Sequence, residues 1–243
     1  MSAPPNAPTT AMVLAAGLGI RMRPLTNDRP KALVEVGGKP LIDHMLDRLA
    51  AAGVTRAVVN LHAFADRLQT HLMARGAPPA LTFSDERAQA LETGGGLKQA
   101  IPLLGAGPVW VANIDTIWRE DGASAMDAVA RAWDPARMDV CLLLAPTDTS
   151  LGFHDTGDVF LEAGGRLRFK RPDERAPYVY VGVHIADPAV VAGGPDEPFS
   201  LLPIWRELAG QGRVFGVAPP GQWMHVGDPA AVAAAEARLR ETA

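Results

Sequence analysis

The chain has 243 residues, enough for one large or two small domains and for a core that needs no staples. Apolar residues make up 48% and charged residues 21%, which excludes disorder, collagen and coiled coil for the chain as a whole. The net charge of -4 gives no global basic field, so neither nucleic acid nor an anionic membrane is an expected partner, and any phosphate must be held by a local site.

Residues 1–9 carry three prolines and no periodicity, and read as a disordered tail. There is no basic n-region, and the apolar run that follows reaches Arg21 too soon to span a bilayer, which takes ~20 residues. A cytoplasmic location is expected. The run 11–16 reads as a buried strand ending at Gly17, and 17–31 as a loop rich in Gly, Pro and Arg. A short strand at 33–36 and a Gly37-Gly38 turn lead into a helix over 40–53, with Pro40 at its start and Gly53 as its stop. A strand at 56–60, a helix at 64–76 and a strand at 80–84 follow.

A polar loop and the run 92–96 then lead into a helix over 97–104 that Pro102 limits. Next come a strand at 108–113, a helix at 122–133 and a strand at 139–145. Such alternation argues for a parallel sheet covered by helices. The pattern is less regular beyond 150, with a hairpin over 159–169, a strand at 178–185, a helix within 199–212, a strand at 214–218 and a terminal helix at 229–241. Cys141 is the only cysteine, so a disulfide framework and a cysteine zinc site are both excluded, and the residue reads as core packing.

Four segments carry candidate chemistry. The first is 14–33, where a strand feeds a loop with Gly17, Gly19, Arg21, Arg23 and, close behind, Lys31. Ligands of open parallel sheets sit beyond the carboxyl ends of strands. Glycines let backbone N–H groups approach an anion, and the cations match phosphate oxygens. No Gly-Lys-Ser/Thr ending makes this a Walker loop, and Met22 stands where a dinucleotide fingerprint needs glycine. The competing explanation is a structural turn with surface arginines. The second is Asp115 at the end of a strand, suited to Mg²⁺, which takes one or two carboxylates plus phosphate oxygens, or else to capping a turn. The third is 91–96, where three consecutive glycines, Gly94, Gly95 and Gly96, either offer free N–H donors at a helix start or form a flexible turn. Glu92 repels phosphate and suits a sugar hydroxyl or a base N–H. The fourth pairs 169–172, with Lys170 and Arg171 facing a second phosphate, with 223–228, where His225 and Asp228 offer metal ligands.

Together these segments resemble the sugar-1-phosphate nucleotidyltransferases. The resemblance rests on Leu14-Ala15-Ala16-Gly17-x-Gly19-x-Arg21-Met22-x-Pro24-Leu25-Thr26 followed by Pro30-Lys31-x-Leu33, and extends through 92–96, Asp115, the Tyr-Val-Gly-Val strand and the terminal Trp-x-x-Val-Gly. The stretch 91–105 looks most like the N-acetylmuramic acid 1-phosphate uridylyltransferases of bacterial cell-wall recycling, and mannose-1-phosphate guanylyltransferases share much of the pattern.

The resemblance implies a Rossmann-like α/β/α sandwich with a mixed, mostly parallel sheet. It implies a single domain over 10–243, with a nucleotide half at about 10–120 and a sugar half at about 121–243. It implies a nucleoside triphosphate and a sugar 1-phosphate as partners, Mg²⁺ or Mn²⁺ as cofactor, and a monomer or homodimer. Arg21, Lys31 and Asp115 would be catalytic, and Ala15, Ala16, Gly17, Gly19, Arg21, Gly94 and Gly95 would bind nucleotide. Glu92, Thr93, Gly182 and Arg171 would bind the sugar phosphate, and Asp115 with His225 or Asp228 the metal. Two departures stand out: Lys170-Arg171-Pro172 replaces the usual Glu-Lys-Pro, and His225 replaces the Asp of Trp-x-Asp-x-Gly. The second leaves an inactive nucleotide-sugar sensor as a rival from another class.

Overall fold

The computed structural model describes residues 6–153 and 156–241. The chain runs β1 (Thr10–Leu14), β2 (Glu35–Val36), β3 (Lys39–Pro40), α1 (Leu41–Ala51), β4 (Arg56–Leu61), α2 (Ala65–Ala74), β5 (Ala80–Asp85), α3 (Glu92–Leu104), β6 (Val109–Asn113), β7 (Thr116–Glu120), α4 (Ala125–Ala132) and β8 (Val140–Pro146). It continues with β9 (Val159–Leu161), β10 (Leu167–Phe169), β11 (Tyr178–Ala186), α5 (Leu202–Gly210), β12 (Val214–Val217), β13 (Gly221–His225) and α6 (Pro229–Arg240).

Among the described residues one 9-stranded sheet runs through the molecule. Strands β6, β1, β4 and β5 lie side by side in parallel. Strand β11 runs against both β6 and β8, and β12 is parallel to β8. The period of two along each strand sends neighbours to opposite faces. Ala11, Val13, Trp110, Ala112, Cys141 and Leu143 join a core with α1, α2 and α4, whereas Met12, Val111, Leu142 and Leu144 join a second core with α3 and α5. The result is three layers, α/β/α, as expected. Cys141 is fully buried, and desolvation pushes its thiol up to about 12, so it is inert packing.

Four expectations need correction. Residues 1–5 of the expected tail lie outside the described residues, but Pro8 is buried and the Thr9 carbonyl accepts the N–H groups of Thr55 and Arg56 at 2.8 and 3.2 Å. Helix α3 begins at Glu92, not 97, so the glycines are inside it. Helix α4 is shorter than read and starts after Ser124, whose hydroxyl accepts the Asp127 N–H. Strands β7 and β13 were not read at all. They pair with each other through Thr116–His225 and Trp118–Trp223, with the two indoles stacked at 5.5 Å. Each partner lies about a hundred residues from the other in sequence, so no local turn signal announces the pair.

Candidate active site

The carboxyl ends of β1, β4, β5 and β6 open onto a cavity of about 470 Å³ lined by Ala15, Ala16, Gly17, Lys31, Asn113 and Asp115, among others. Its first wall is the loop after β1. The two glycines there do different things. A Cβ on Gly17 would meet nothing within 4 Å, so its missing side chain leaves open space at the cavity wall. Gly19 sits at φ +63, and a Cβ there would lie 3.0 Å from the Lys31 Cβ and the Thr26 Cγ2. It is required by the turn and by the packing that brings Lys31 alongside. The Thr26 hydroxyl fixes that turn by donating to the Gly19 carbonyl at 2.8 Å.

A buried polar ladder braces this wall. The Asn60 Oδ1 accepts the N–H groups of Ala15 and Ala16 at 2.6 and 3.1 Å. Its Nδ2 donates to the Glu86 Oε1 at 2.7 Å, and the other Glu86 oxygen accepts the Leu91 N–H at 3.2 Å. Burial pushes the Glu86 carboxyl above its ordinary value even against these donors. The ladder ties together the ends of β4 and β5 and the start of α3. The Ala15 and Ala16 N–H groups are therefore engaged, and what they present to the cavity is a fixed backbone edge.

The glycines of α3 are not free anion donors. The Phe199 carbonyl takes the Gly94 and Gly95 N–H groups at 2.8 and 3.2 Å. A Cβ on Gly94 would lie 2.3 Å from the Phe199 ring, and one on Gly96 would lie 2.9 Å from Glu86. The glycine run thus seats the 199–201 segment and the ladder against the helix. Glu92 does reach the cavity, from a left-handed backbone at φ 59. Thr93 lines it too, while its hydroxyl accepts the Leu201 N–H at 3.0 Å.

Asp115 lies just past β6, on the wall shared with a second cavity of about 240 Å³. Its Oδ2 accepts from the Lys31 Nζ at 2.7 Å. Both side chains are mostly buried, 12% exposed for Lys31 and 19% for Asp115. Desolvation raises the Asp115 pKa, but the charges of Lys31 and His225 and the lysine hydrogen bond outweigh it, so the carboxyl is held below its ordinary value. The Asp115 carbonyl accepts the Val226 N–H at 2.7 Å, which brings the end of β13 alongside. Arg21 and His225 line the second cavity with Asp115, and the imidazole lies 5.2 Å from the Phe153 ring.

Asp228 is not in this group. Its carboxylate accepts the Ala231 N–H at 2.8 Å and caps α6, and it does not line the cavity that Asp115 and His225 share. Among the described residues no set of three or more His, Cys, Asp or Glu is grouped to hold a metal. The Asp115 carboxylate and the His225 imidazole, facing a shared cavity, fit a metal that takes its remaining ligands from phosphate oxygens.

The second cavity exists because β11 outruns its neighbour. On one edge β11 pairs with β9 at Tyr178 and with β6 from Val183 onward. The stretch between them, from Val179 to Gly182, faces the opening. Gly182 is at φ +86, and a Cβ there would lie 2.9 Å from the Asn113 Cβ, so glycine lets Asn113 reach the centre of the cleft. Asn113 borders both cavities and a third of about 270 Å³. Tyr180 walls the second and third. Its hydroxyl is 2.7 Å from the Nδ1 of fully buried His184, and both rings stand edge-on to Trp205. Desolvation lowers His184 to about 3, so it stays neutral and acts as a fixed anchor for the tyrosine.

Of the two cations after β10, Lys170 lines the third cavity, with its Nζ 2.6 Å from the Thr156 hydroxyl. Arg171 is exposed and lines none of the three; its backbone N–H donates to Glu174. Lys170 therefore faces the cleft, and Arg171, the residue expected at the sugar phosphate, does not.

Reading the sequence missed Asn60, Glu86, Asn113, Asp158, Tyr180 and Ser200. Only a polar residue at the end of an apolar strand, as at Asn60 and Asn113, gave a signal.

The match to known proteins agrees with this geometry. Residues 10–153 match the family model described as "Nucleotidyl transferase". The chain is 69% identical over 239 residues to the N-acetylmuramate alpha-1-phosphate uridylyltransferase of Caulobacter vibrioides, covering 97% of this chain and 99% of that one. It is 26% identical to a probable mannose-1-phosphate guanylyltransferase of Oryza sativa, covering 90% of this chain but 61% of that protein. A putative glucose-1-phosphate thymidylyltransferase from Bacillus anthracis superposes with a TM-score of 0.79 at 18% identity, over 96% of this chain and 95% of that one, which is a likeness of fold. The chain, whose cleft brings Lys31 and Asp115 together below the glycine loop, belongs to the nucleotidyl transferase family.

Proposed function

We propose that the protein transfers the uridylyl group of UTP to N-acetylmuramic acid 1-phosphate. An oxygen of the sugar phosphate attacks the α-phosphorus of UTP. The new O–P bond forms as the bond to the β-phosphate oxygen breaks, and pyrophosphate leaves with that electron pair. The nucleophile is already an anion, so no side chain need take a proton. The task is to hold two polyanions in line and neutralise them.

The chain's own residues suit that task. The 470 Å³ cavity takes the nucleoside, with the Asn60-braced backbone on one side and Glu92 on the other. Arg21 and Lys31 meet phosphate oxygens where this cavity joins the second. Asp115 and His225 would hold a divalent cation, which supplies charge neutralisation at the phosphates when bound. Loss of Lys31's partner to that cation would free its ammonium for the phosphates. Imidazole is softer than carboxylate and favours Mn²⁺ relative to Mg²⁺.

The observation that carries the substrate reading is the 69% identity, spread over nearly the whole chain, to a protein named for that reaction. Such chemistry belongs to reuse of cell-wall sugar in the cytoplasm, where UTP is made. Among the described residues no helix is long and apolar enough to cross a membrane. The test is pyrophosphate release with each common nucleoside triphosphate against N-acetylmuramic acid, N-acetylglucosamine, glucose and mannose 1-phosphates, in Mg²⁺ and in Mn²⁺. UTP with the muramic sugar is expected to lead. GTP with mannose 1-phosphate leading would replace the reading, and nucleotide binding without any turnover would favour a sensor.

A further inference from the structure

The third cavity, of about 270 Å³, is joined to the nucleotide cavity through Leu14, Thr93, Asn113 and Ser200, yet Asp115 does not line it. It lies beside the reacting centre rather than within it. One wall is apolar, built from Phe169, Leu201 and Trp205. Two cations share the space. Lys170 comes from the end of β10, and Arg206 from α5. Lys170 donates to the carbonyl and hydroxyl of Thr156, both neutral acceptors, and among the described residues it has no ion pair. Arg206 has no hydrogen bond or ion pair among the described residues. Among the described residues the carboxylate in the cavity is Asp158, which stands on the wall shared with the second cavity and accepts the Tyr180 N–H at 3.0 Å. Two cations against one carboxylate, facing an apolar wall, make a pocket for a small anion that carries a methyl group.

We infer that Lys170 and Arg206 read the carboxylate of the lactyl ether of the muramic sugar, with the apolar wall taking its methyl group. This rests on the proposed substrate. The lactyl arm is the one feature that separates N-acetylmuramic acid 1-phosphate from N-acetylglucosamine 1-phosphate. A site that must choose between them gains most by pairing the arm's charge, since the unarmed sugar leaves both cations without a partner. Arg206 offers a planar fork for a carboxylate, and Lys170 a point charge already held by Thr156. The Lys170 position also explains the departure from the usual acidic residue there: a carboxylate would repel the arm.

The experiment compares kcat/KM for the two sugar phosphates with UTP in the wild type, Arg206→Gln and Lys170→Gln. Each variant is expected to lose about 10-fold or more on the muramic sugar and to stay within about 2-fold on the unarmed one. The methyl ester of the lactyl arm should cost the wild type the same factor and leave the variants unaffected. Calorimetric binding of the two UDP-sugar products gives the same comparison without turnover. Equal losses on both sugars would overturn the inference and assign the cations to the 1-phosphate or to structure; so would no loss on the muramic sugar. If the wild type instead works only with another sugar and base, the proposed function fails, and the carboxylate reader with it.

Discussion

The two halves of the cleft are built on different plans. On the proposed nucleotide side the polar groups are already paired within the protein: Ala15 and Ala16 on Asn60, Asn60 on Glu86, Gly94 and Gly95 on Phe199, Lys31 on Asp115. On the proposed sugar side, among the described residues, an arginine has no hydrogen bond or ion pair and a lysine is held only by neutral oxygens, and the wall is a bulged strand whose edge faces the opening. A rigid nucleotide side suits a ligand whose triphosphate is common to all members of the family. An open, cationic sugar side suits the part of the reaction in which members differ. Under the proposed function, preorganisation and specificity are located in separate segments of one cleft.

Asp115→Ala tests the join between the halves most severely. It removes a carboxylate on the wall shared by the two cavities and strands Lys31, and turnover is expected to fall about 10³-fold or more in single-turnover pyrophosphate release. Near wild-type rates would show that the halves do not meet at Asp115. Gly94→Ala challenges the claim that the α3 glycines serve packing. Its Cβ would strike the Phe199 ring at 2.3 Å, with an expected cost of about 1–3 kcal/mol in denaturant unfolding. Unchanged stability with weakened nucleotide binding would return these glycines to the ligand.

His225→Asp sharpens the contrast in metal chemistry. It is expected to raise the ratio of Mg²⁺-supported to Mn²⁺-supported kcat/KM by roughly 10-fold. An unchanged ratio would remove His225 from the metal site. Asp228→Ala should cost about 1 kcal/mol of stability through loss of the α6 cap, with metal affinity unaltered in an isothermal titration. A fall in metal affinity would restore it as a ligand.

The smallest effect is a pH dependence. Because the folded Asp115 carboxyl is held below the ordinary 3.8, its contribution to stability is complete above that pH and is lost as pH falls through the lower folded value. Asp115→Asn should therefore flatten the acid limb of the unfolding curve below about pH 3.8, while wild type and variant keep parallel curves above it.

The sequence by itself determined the layered α/β plan and made the proposed nucleotide side of the cleft legible. Strands β1, β4 and β6 announce themselves as short apolar runs, and the residues from Gly17 to Lys31 that crowd the nucleotide cavity are contiguous in the chain, so one stretch of sequence carries both fold signal and chemistry. Asp115 was legible for the same reason, as an acid closing an apolar strand. The sugar half was not. It is assembled from segments near 113, 158, 170, 180, 206 and 225, and no local pattern says which of their side chains face one cavity. Which of Lys170 and Arg171 turns inward depends on the pleat after β10. Whether Asp228 binds a metal or caps a helix depends on where α6 begins, and whether the α3 glycines are free depends on Phe199, about a hundred residues away. These choices were made by tertiary packing, because burial and hydrogen-bond satisfaction act between segments that the chain brings together only when it folds.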